Sequence, residues 1–147
     1  MTLKALLFDM DGVLVHSFEN NKKAFADVLL EDSNVVLTAQ DFTNVSGMSI
    51  KDKMPLWKKK YPLILDYNPE ELSRRTGRKE IEILKTQLDK QPNVKPLLEE
   101  ARKQGIKTAV ATSSFGWRTK EILHLLKIEK LFDAIVSVDN IRRGKPF

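Results

Sequence analysis

Two carboxylates placed one residue apart are the clearest chemical feature of the sequence. Asp9 and Asp11 follow the apolar run at 5–8 (ALLF), and Gly12 comes directly after them. Two ionised carboxyl groups this close repel each other, so one must take a proton or a cation must lie between them. Carboxylate oxygens are the ligands that Mg²⁺ prefers, so the pair predicts a magnesium site at Asp9 and Asp11.

Two further groups of polar residues follow later apolar segments. Thr112 and Ser113 come directly after the β-branched run 106–111, and Lys145 lies in a loop after the run 132–137. The carboxyl ends of parallel strands meet at one edge of a sheet, so we expect these residues to converge there with the aspartates. A nucleophile, hydroxyls with backbone N–H groups and a fixed cation are the components that phosphoryl transfer requires.

The elements that would position these residues follow from the hydrophobic pattern. The runs 3–9, 106–111 and 132–137 are short, apolar and rich in β-branched residues, which is typical of strands in a parallel sheet. The first run is unbroken, so we expect that strand to be buried on both faces. A helix is predicted before the second strand and another after it, and Ser114 is expected to cap the later one.

The chain between the first strand and the core helices is predicted to be helical. Thr38 and Asp41 have the spacing of a capping box, and Ser49 begins a second pattern of the same kind. Asn68 followed by proline and two glutamates is typical of a helix start, and this helix should run to near Lys90. No convincing strand is found in this part of the sequence.

The order of the predicted elements indicates an α/β protein. Residues 1–15 and 91–147 are expected to form a Rossmann-like core with a parallel sheet. Residues 16–90 are expected to form an α-helical cap inserted after the first strand. The core would be incomplete at its C-terminal end.

The composition argues against several other classes of protein. The chain has 147 residues and no cysteine, so it offers one domain, or a small core with an insertion, and no disulfide or thiolate site. No apolar run is long enough to span a membrane and no signal-peptide pattern is present, so we expect a cytoplasmic protein without a membrane partner. The net charge of +5 comes from scattered basic residues without interleaved aromatics, so no nucleic-acid partner is expected.

Three motifs resemble those of the haloacid dehalogenase-like (HAD) superfamily, in the branch of β-phosphoglucomutase-like and phosphoglycolate phosphatase-like enzymes. They are DMDGV at 9–13, ATSS at 111–114 and GKP at 144–146. The similarity is close over the core and loose over the predicted cap, and the three motifs in this order are far more specific than one alone. The resemblance implies a Mg²⁺-dependent phosphatase that acts on a small phosphorylated metabolite through an aspartyl-phosphate intermediate.

The resemblance also implies a role for each site residue. Asp9 would attack phosphorus, and Asp11 would protonate the leaving oxygen and later take a proton from water. Thr112 would donate a hydrogen bond to a phosphoryl oxygen and Ser113 would contribute its backbone N–H. Lys145 would balance the charge of Asp9 and the phosphoryl group. Mg²⁺ would be held by Asp9, by the backbone carbonyl of Asp11 and by a further acid. Taken alone, the aspartates could be a turn pair, the hydroxyls helix-entry residues and the lysine a surface residue.

The chain departs from the family pattern at its end. Family members continue past the lysine loop into a fourth strand that carries the further acid, whereas this sequence stops at Phe147. We therefore expect a fragment of a longer protein, with weak Mg²⁺ binding and little turnover. The first strand would be an uncovered apolar edge, through which the chain could self-associate.

Two alternative functions remain open. A phosphosugar mutase would use the same intermediate, but Ile50 and Phe115 occupy positions where mutase-like relatives carry basic residues. An inactive fragment that binds a partner through the open sheet edge is the other alternative. The sequence does not identify the phosphate ester.

Overall fold

A computed structural model of the protein describes residues 3–64 and 67–142. Lys145 and the rest of the GKP motif lie outside the described residues, so the predicted position of this lysine is not tested.

The described chain contains one parallel sheet with the strand order β1–β2–β3. Leu7 of the first strand is paired with Ala109 of the second. All three strands lie within the predicted runs, which confirms the α/β class and the parallel sheet. They are β1 (Ala5–Phe8), β2 (Lys107–Ala111) and β3 (Ala134–Val136).

Six α-helices are found in the described part of the chain. The first four lie between β1 and the core helix that leads into β2, and together they are called the helical segment below. Helix α5 connects this segment to β2, and α6 connects β2 to β3. The helices are α1 (Phe18–Ser33), α2 (Ala39–Thr43), α3 (Ile50–Lys60), α4 (Pro69–Lys85), α5 (Lys95–Lys103) and α6 (Gly116–Leu125).

The predicted helix starts in the helical segment are confirmed. Thr38 and Asp41 form a full capping box at α2, Ser49 accepts a hydrogen bond from the third residue of α3, and Asn68 caps α4. Helix α4 is shorter than predicted and ends at Lys85, followed by a short 3-10 turn at 88–90. Beyond Leu84, the last buried apolar residue of α4, no further residue of this stretch is buried to support another turn.

The prediction that β1 is buried on both faces is wrong for the described chain. Leu7 is 75% exposed, whereas Phe8 packs on the other face with Val110 of β2. The three strands lie side by side in chain order. When such strands are joined by right-handed crossovers, the connecting helices lie on the same face of the sheet. Leu98 of α5 and Ile122 of α6 accordingly pack together with Phe8 and Val110.

Two hydrophobic clusters form the interior, and they cross the predicted boundary between core and cap. Phe115 from the core joins the cluster of the helical segment around Trp57, while Ile81 and Leu84 of α4 join the cluster beneath the sheet. The helical segment is therefore packed tightly against the core. The division at residues 16 and 90 stays a prediction. Within the described ranges, no helix combines the length and apolar character needed to cross a bilayer.

Candidate active site

One cavity brings together the predicted site residues that the structure describes. Asp9, Asp11, Thr112 and Ser113 all line a space of about 410 Å³. The opposite wall comes from the helical segment, including Phe25 and other apolar side chains. The cavity thus lies where the carboxyl ends of β1 and β2 face the helical segment, as the topology requires.

Asp9 directly follows β1 and exposes its carboxylate at the cavity wall. The Met10 N–H donates a hydrogen bond of 2.8 Å to Asp9 Oδ1, which orients the carboxylate at the end of the strand. Gly12 has a φ of +83°, a left-handed conformation that glycine adopts without strain and that turns the chain away behind Asp11. The nucleophile predicted from the sequence is therefore accessible from the cavity.

Asp11 is held by four hydrogen bonds. Oδ1 accepts from Ser17 Oγ at 2.5 Å and from Arg118 Nη2 at 2.8 Å. Oδ2 accepts from Ser114 Oγ at 3.1 Å and from Arg118 Nη1 at 3.2 Å. Burial by itself would raise the pKa of Asp11, but the positive charge of Arg118 and these hydrogen bonds outweigh it and lower the pKa to about 2. Asp11 is thus an ionised acceptor in this arrangement.

Arg118 and Glu80 are the site residues that the sequence analysis missed. The guanidinium of Arg118 forms one pair with Asp11 and another with Glu80, through Nε at 2.8 Å and Nη2 at 2.6 Å. Both side chains are buried, with Arg118 at 5% and Glu80 at 1% exposure. A signal was available, because each charged residue occupies a helix position four residues before a buried leucine or isoleucine, Leu84 in α4 and Ile122 in α6.

The residues after β2 are arranged for an anion. Thr112 N–H donates to Val136 O at 3.0 Å, and its Oγ1 accepts from Ser114 N–H at 3.1 Å. A hydroxyl that accepts one hydrogen bond still has its own hydrogen to donate. Ser113 Oγ is buried and has no hydrogen-bond partner among the described residues, so its hydrogen-bonding capacity is left for a bound ligand or a water molecule.

The prediction that Ser114 caps α6 is wrong. The N-cap residue of α6 is Phe115, and Asp139 Oδ2 accepts a 2.7 Å hydrogen bond from Gly116 N–H instead. The Ser114 hydroxyl turns the other way, donating to Asp11 and accepting from Arg118 Nη1 at 2.6 Å. The charged side chains of Asp11 and Arg118 bind this hydroxyl more strongly than a backbone N–H of α6 would.

The helical segment contributes basic side chains to the cavity. Lys22 lies 3.6 Å from Glu19, whereas Lys53 has no carboxylate within ion-pair distance in the described chain. Burial lowers the pKa of Lys53, and the nearby charge of Asp11 partly offsets this effect. A half-buried ammonium without a direct counterion favours an anionic ligand.

The described residues supply few donors for a metal ion. Within 3–64 and 67–142, no group of three or more Asp, Glu, His or Cys side chains is placed to hold a cation. Asp133 accepts from Lys107 and from Thr108 N–H, and Asp139 caps α6, so both are engaged elsewhere. The carboxylate of Asp9 and the backbone carbonyl of Asp11 fit Mg²⁺ in chemical type. The Asp11 carboxylate, with four protein donors, is not placed to bind a metal.

Comparison with known proteins agrees with this architecture. A family model described as haloacid dehalogenase-like hydrolase matches residues 6–147. The phosphorylated carbohydrates phosphatase of Thermotoga maritima is 28% identical over 144 residues, which are 98% of this chain and 65% of that protein. A solved hydrolase from Pseudomonas syringae is 28% identical with a TM-score of 0.75, covering 99% of this chain and 65% of that one.

A more distant solved structure shows the fold alone. CbbY from Rhodobacter sphaeroides in complex with phosphate is 17% identical with a TM-score of 0.77, covering 99% of this chain and 68% of that one. The chain spans about two thirds of the length of the relatives it matches. Because the family model covers nearly all of the sequence, the chain belongs to the haloacid dehalogenase-like hydrolases.

Proposed function

We propose that the protein is a Mg²⁺-dependent phosphatase that hydrolyses a small organic phosphate ester through an aspartyl phosphate on Asp9. One observation supports this most strongly: Asp9, Asp11, Thr112 and Ser113 line a single cavity that also contains the half-buried ammonium of Lys53. The phosphatase name of the Thermotoga relative supports the same reaction class.

In the proposed reaction, an oxygen of Asp9 attacks phosphorus and the bond from phosphorus to the ester oxygen breaks. Thr112 donates its hydroxyl hydrogen to a phosphoryl oxygen. Asp11 is ionised in this arrangement, so it must first take a proton from solvent, which it then gives to the departing oxygen. Water then cleaves the acyl phosphate and Asp11 takes a proton from that water. Oδ2 of Asp11 is the oxygen suited to carry this proton, since its hydrogen bonds of 3.1 and 3.2 Å are the longer and weaker ones.

A metal ion would be held by the Asp9 carboxylate and the Asp11 backbone carbonyl. When bound, Mg²⁺ supplies positive charge that stabilises the transferred phosphoryl group. These two oxygens are a small donor set, so we expect this chain to bind the ion weakly and to turn over slowly.

The experiment is an assay of phosphate release from p-nitrophenyl phosphate and from sugar phosphates by the purified chain, with Mg²⁺ or with excess EDTA. We expect slow turnover that requires Mg²⁺. Equal rates in Mg²⁺ and EDTA would contradict the proposed metal dependence. Release at the buffer rate from every ester tested would contradict the phosphatase proposal for this chain.

A phosphosugar mutase remains the second candidate, because Lys53 places a cation on the helical side of the cavity. Such a cation could bind a second phosphate on the substrate. A ³¹P NMR time course with a sugar 1-phosphate separates the two activities. A phosphatase gives inorganic phosphate, whereas a mutase gives an isomeric sugar phosphate.

A further inference from the structure

The hydrogen bonding of Arg118 is complete. A guanidinium has five N–H donors. Nε and one hydrogen of Nη2 are donated to Glu80, the other hydrogen of Nη2 and one of Nη1 to Asp11, and the last to Ser114 Oγ. All five donors are therefore used, and the side chain has no N–H left for a substrate phosphate.

This arrangement fixes the plane of the Asp11 carboxylate. The end of the guanidinium fork contacts both oxygens of Asp11, so rotation of the carboxylate about its last bond would break two charge-assisted hydrogen bonds. A lysine at the same place has a single nitrogen and could not hold both oxygens in a plane.

Glu80 holds the other side of the same fork. It lies on α4 and is almost fully buried, and its Oε2 also accepts from Asn21 Nδ2 of α1 at 3.1 Å. Two elements of the helical segment thus converge on the group that orients Asp11. One residue earlier on α6, Trp117 packs on Gly77 of α4, so the two helices meet at successive positions.

We propose that Arg118 is a positioning residue that holds the Asp11 carboxylate in its working orientation, and that Glu80 couples the helical segment to Asp11 through it. The inference deepens the proposed function and rests on it, since Asp11 is the acid–base group there. It assigns to the helical segment a part in the chemistry, beyond closing the cavity.

The kinetic test compares Arg118→Met, Arg118→Lys and Glu80→Gln with Lys120→Met, an exposed control on the same helix. For Arg118→Met we expect kcat per folded molecule to fall roughly 100-fold, the usual scale of acid–base assistance, with KM within about threefold of the wild type. Arg118→Lys should have a higher kcat than Arg118→Met. The kcat of Glu80→Gln should lie between those of the wild type and Arg118→Met. A rise in KM at constant kcat, or a kcat that is unchanged or raised in Arg118→Met, would overturn the proposal.

A second readout does not depend on turnover. In ¹⁵N-labelled protein, the Nε–H resonance of Arg118 should be visible at neutral pH because its two ion pairs protect it from exchange. It should shift in Asp11→Asn and in Glu80→Gln, and Arg118→Lys identifies it by its loss. If Asp11→Asn leaves the resonance unmoved, Arg118 does not hold Asp11 and the proposal fails. If the wild type hydrolyses no ester, the phosphatase proposal fails, and this spectrum still decides the contact.

Discussion

Single side chains determine what the cavity can do, and they were predictable to different degrees. Asp9 and Thr112 lie directly after strands, and Asp11 lies two residues after Asp9, so sequence position and sheet topology together place them. Arg118 and Glu80 are 38 residues apart and belong to different helices, so no local spacing links them. Each was recognisable only as a charged residue in an apolar stripe, and their pairing needed the packed structure.

Asp41 is a second carboxylate whose surroundings have measurable consequences. Burial by itself would raise its pKa, but hydrogen bonds from Lys60 Nζ, Tyr61 OH and Thr38 Oγ1, all at 2.7 Å, lower the pKa well below its usual range. A carboxyl group whose pKa is lower in the folded state than in the unfolded state stabilises the protein at a pH above its unfolded-state pKa. This stabilisation is lost as the pH falls through the folded-state pKa. Asp41 therefore stabilises the junction of α2 and α3 at neutral pH.

We predict that Asp41→Asn lowers the free energy of unfolding by about 2 kcal/mol at pH 7, because a buried charge-assisted network loses its anion. The difference from the wild type should shrink as the pH falls below 4, where the unfolded wild-type chain becomes protonated. Urea denaturation at pH 7 and pH 3 measures both values. An equal difference in the free energy of unfolding at pH 7 and pH 3 would contradict the lowered pKa of Asp41.

At the scale of elements, the contact between α4 and α6 is the tightest constraint. A Cβ atom on Gly77 would overlap the Trp117 ring, so glycine is required in the middle of α4 for the helices to approach this closely. In an exposed helix the same change would stabilise the protein by up to about 1 kcal/mol.

We predict the opposite sign at Gly77. Gly77→Ala should destabilise the protein by about 1–3 kcal/mol, as overpacking does in a close-packed interior. Thermal denaturation measures this, with Arg78→Ala at the exposed neighbouring position as the control. Trp117→Phe should relieve most of the added cost in the double variant. A stabilised Gly77→Ala protein would show that the helices are less close than described.

Helix boundaries were predicted correctly where a capping residue with a local partner determines them. Predictions failed where tertiary contacts determine the hydrogen-bond partner or the burial of a residue. Thr38 and Asn68 have local partners, so their helices begin where predicted. Ser114 has the type of an N-cap residue, yet its hydroxyl donates to Asp11, an ionised acceptor that binds it more strongly than a backbone group, and Phe115 is the N-cap of α6. The exposed face of β1 could not be anticipated from its unbroken apolar run.

On the whole-molecule scale, the uncovered face of the sheet is the main feature. In the described chain β1 is an edge strand, and Leu7 and Val136 are exposed on the face opposite α5 and α6. An apolar sheet face with an open edge favours association with a second surface.

We predict concentration-dependent self-association of this chain, measured by sedimentation velocity at micromolar concentrations. Leu7→Lys should shift the distribution towards the monomer, because it places a charge on the uncovered face and edge. Leu63→Lys is the matched control, since this leucine is also exposed but lies in the short 3-10 turn between α3 and α4. A monomer at every concentration, or an equal effect of both substitutions, would contradict the prediction.

The most direct test of the phosphatase proposal is the rate of phosphate release by Asp9→Asn compared with the wild type and with Asp89→Asn, an exposed control outside the cavity. If Asp9 forms the covalent intermediate, its amide analogue should lose roughly a thousandfold or more in kcat, while the control keeps the wild-type rate. An Asp9→Asn protein that hydrolyses phosphate esters within about threefold of the wild-type rate would contradict the assignment of Asp9 as the nucleophile.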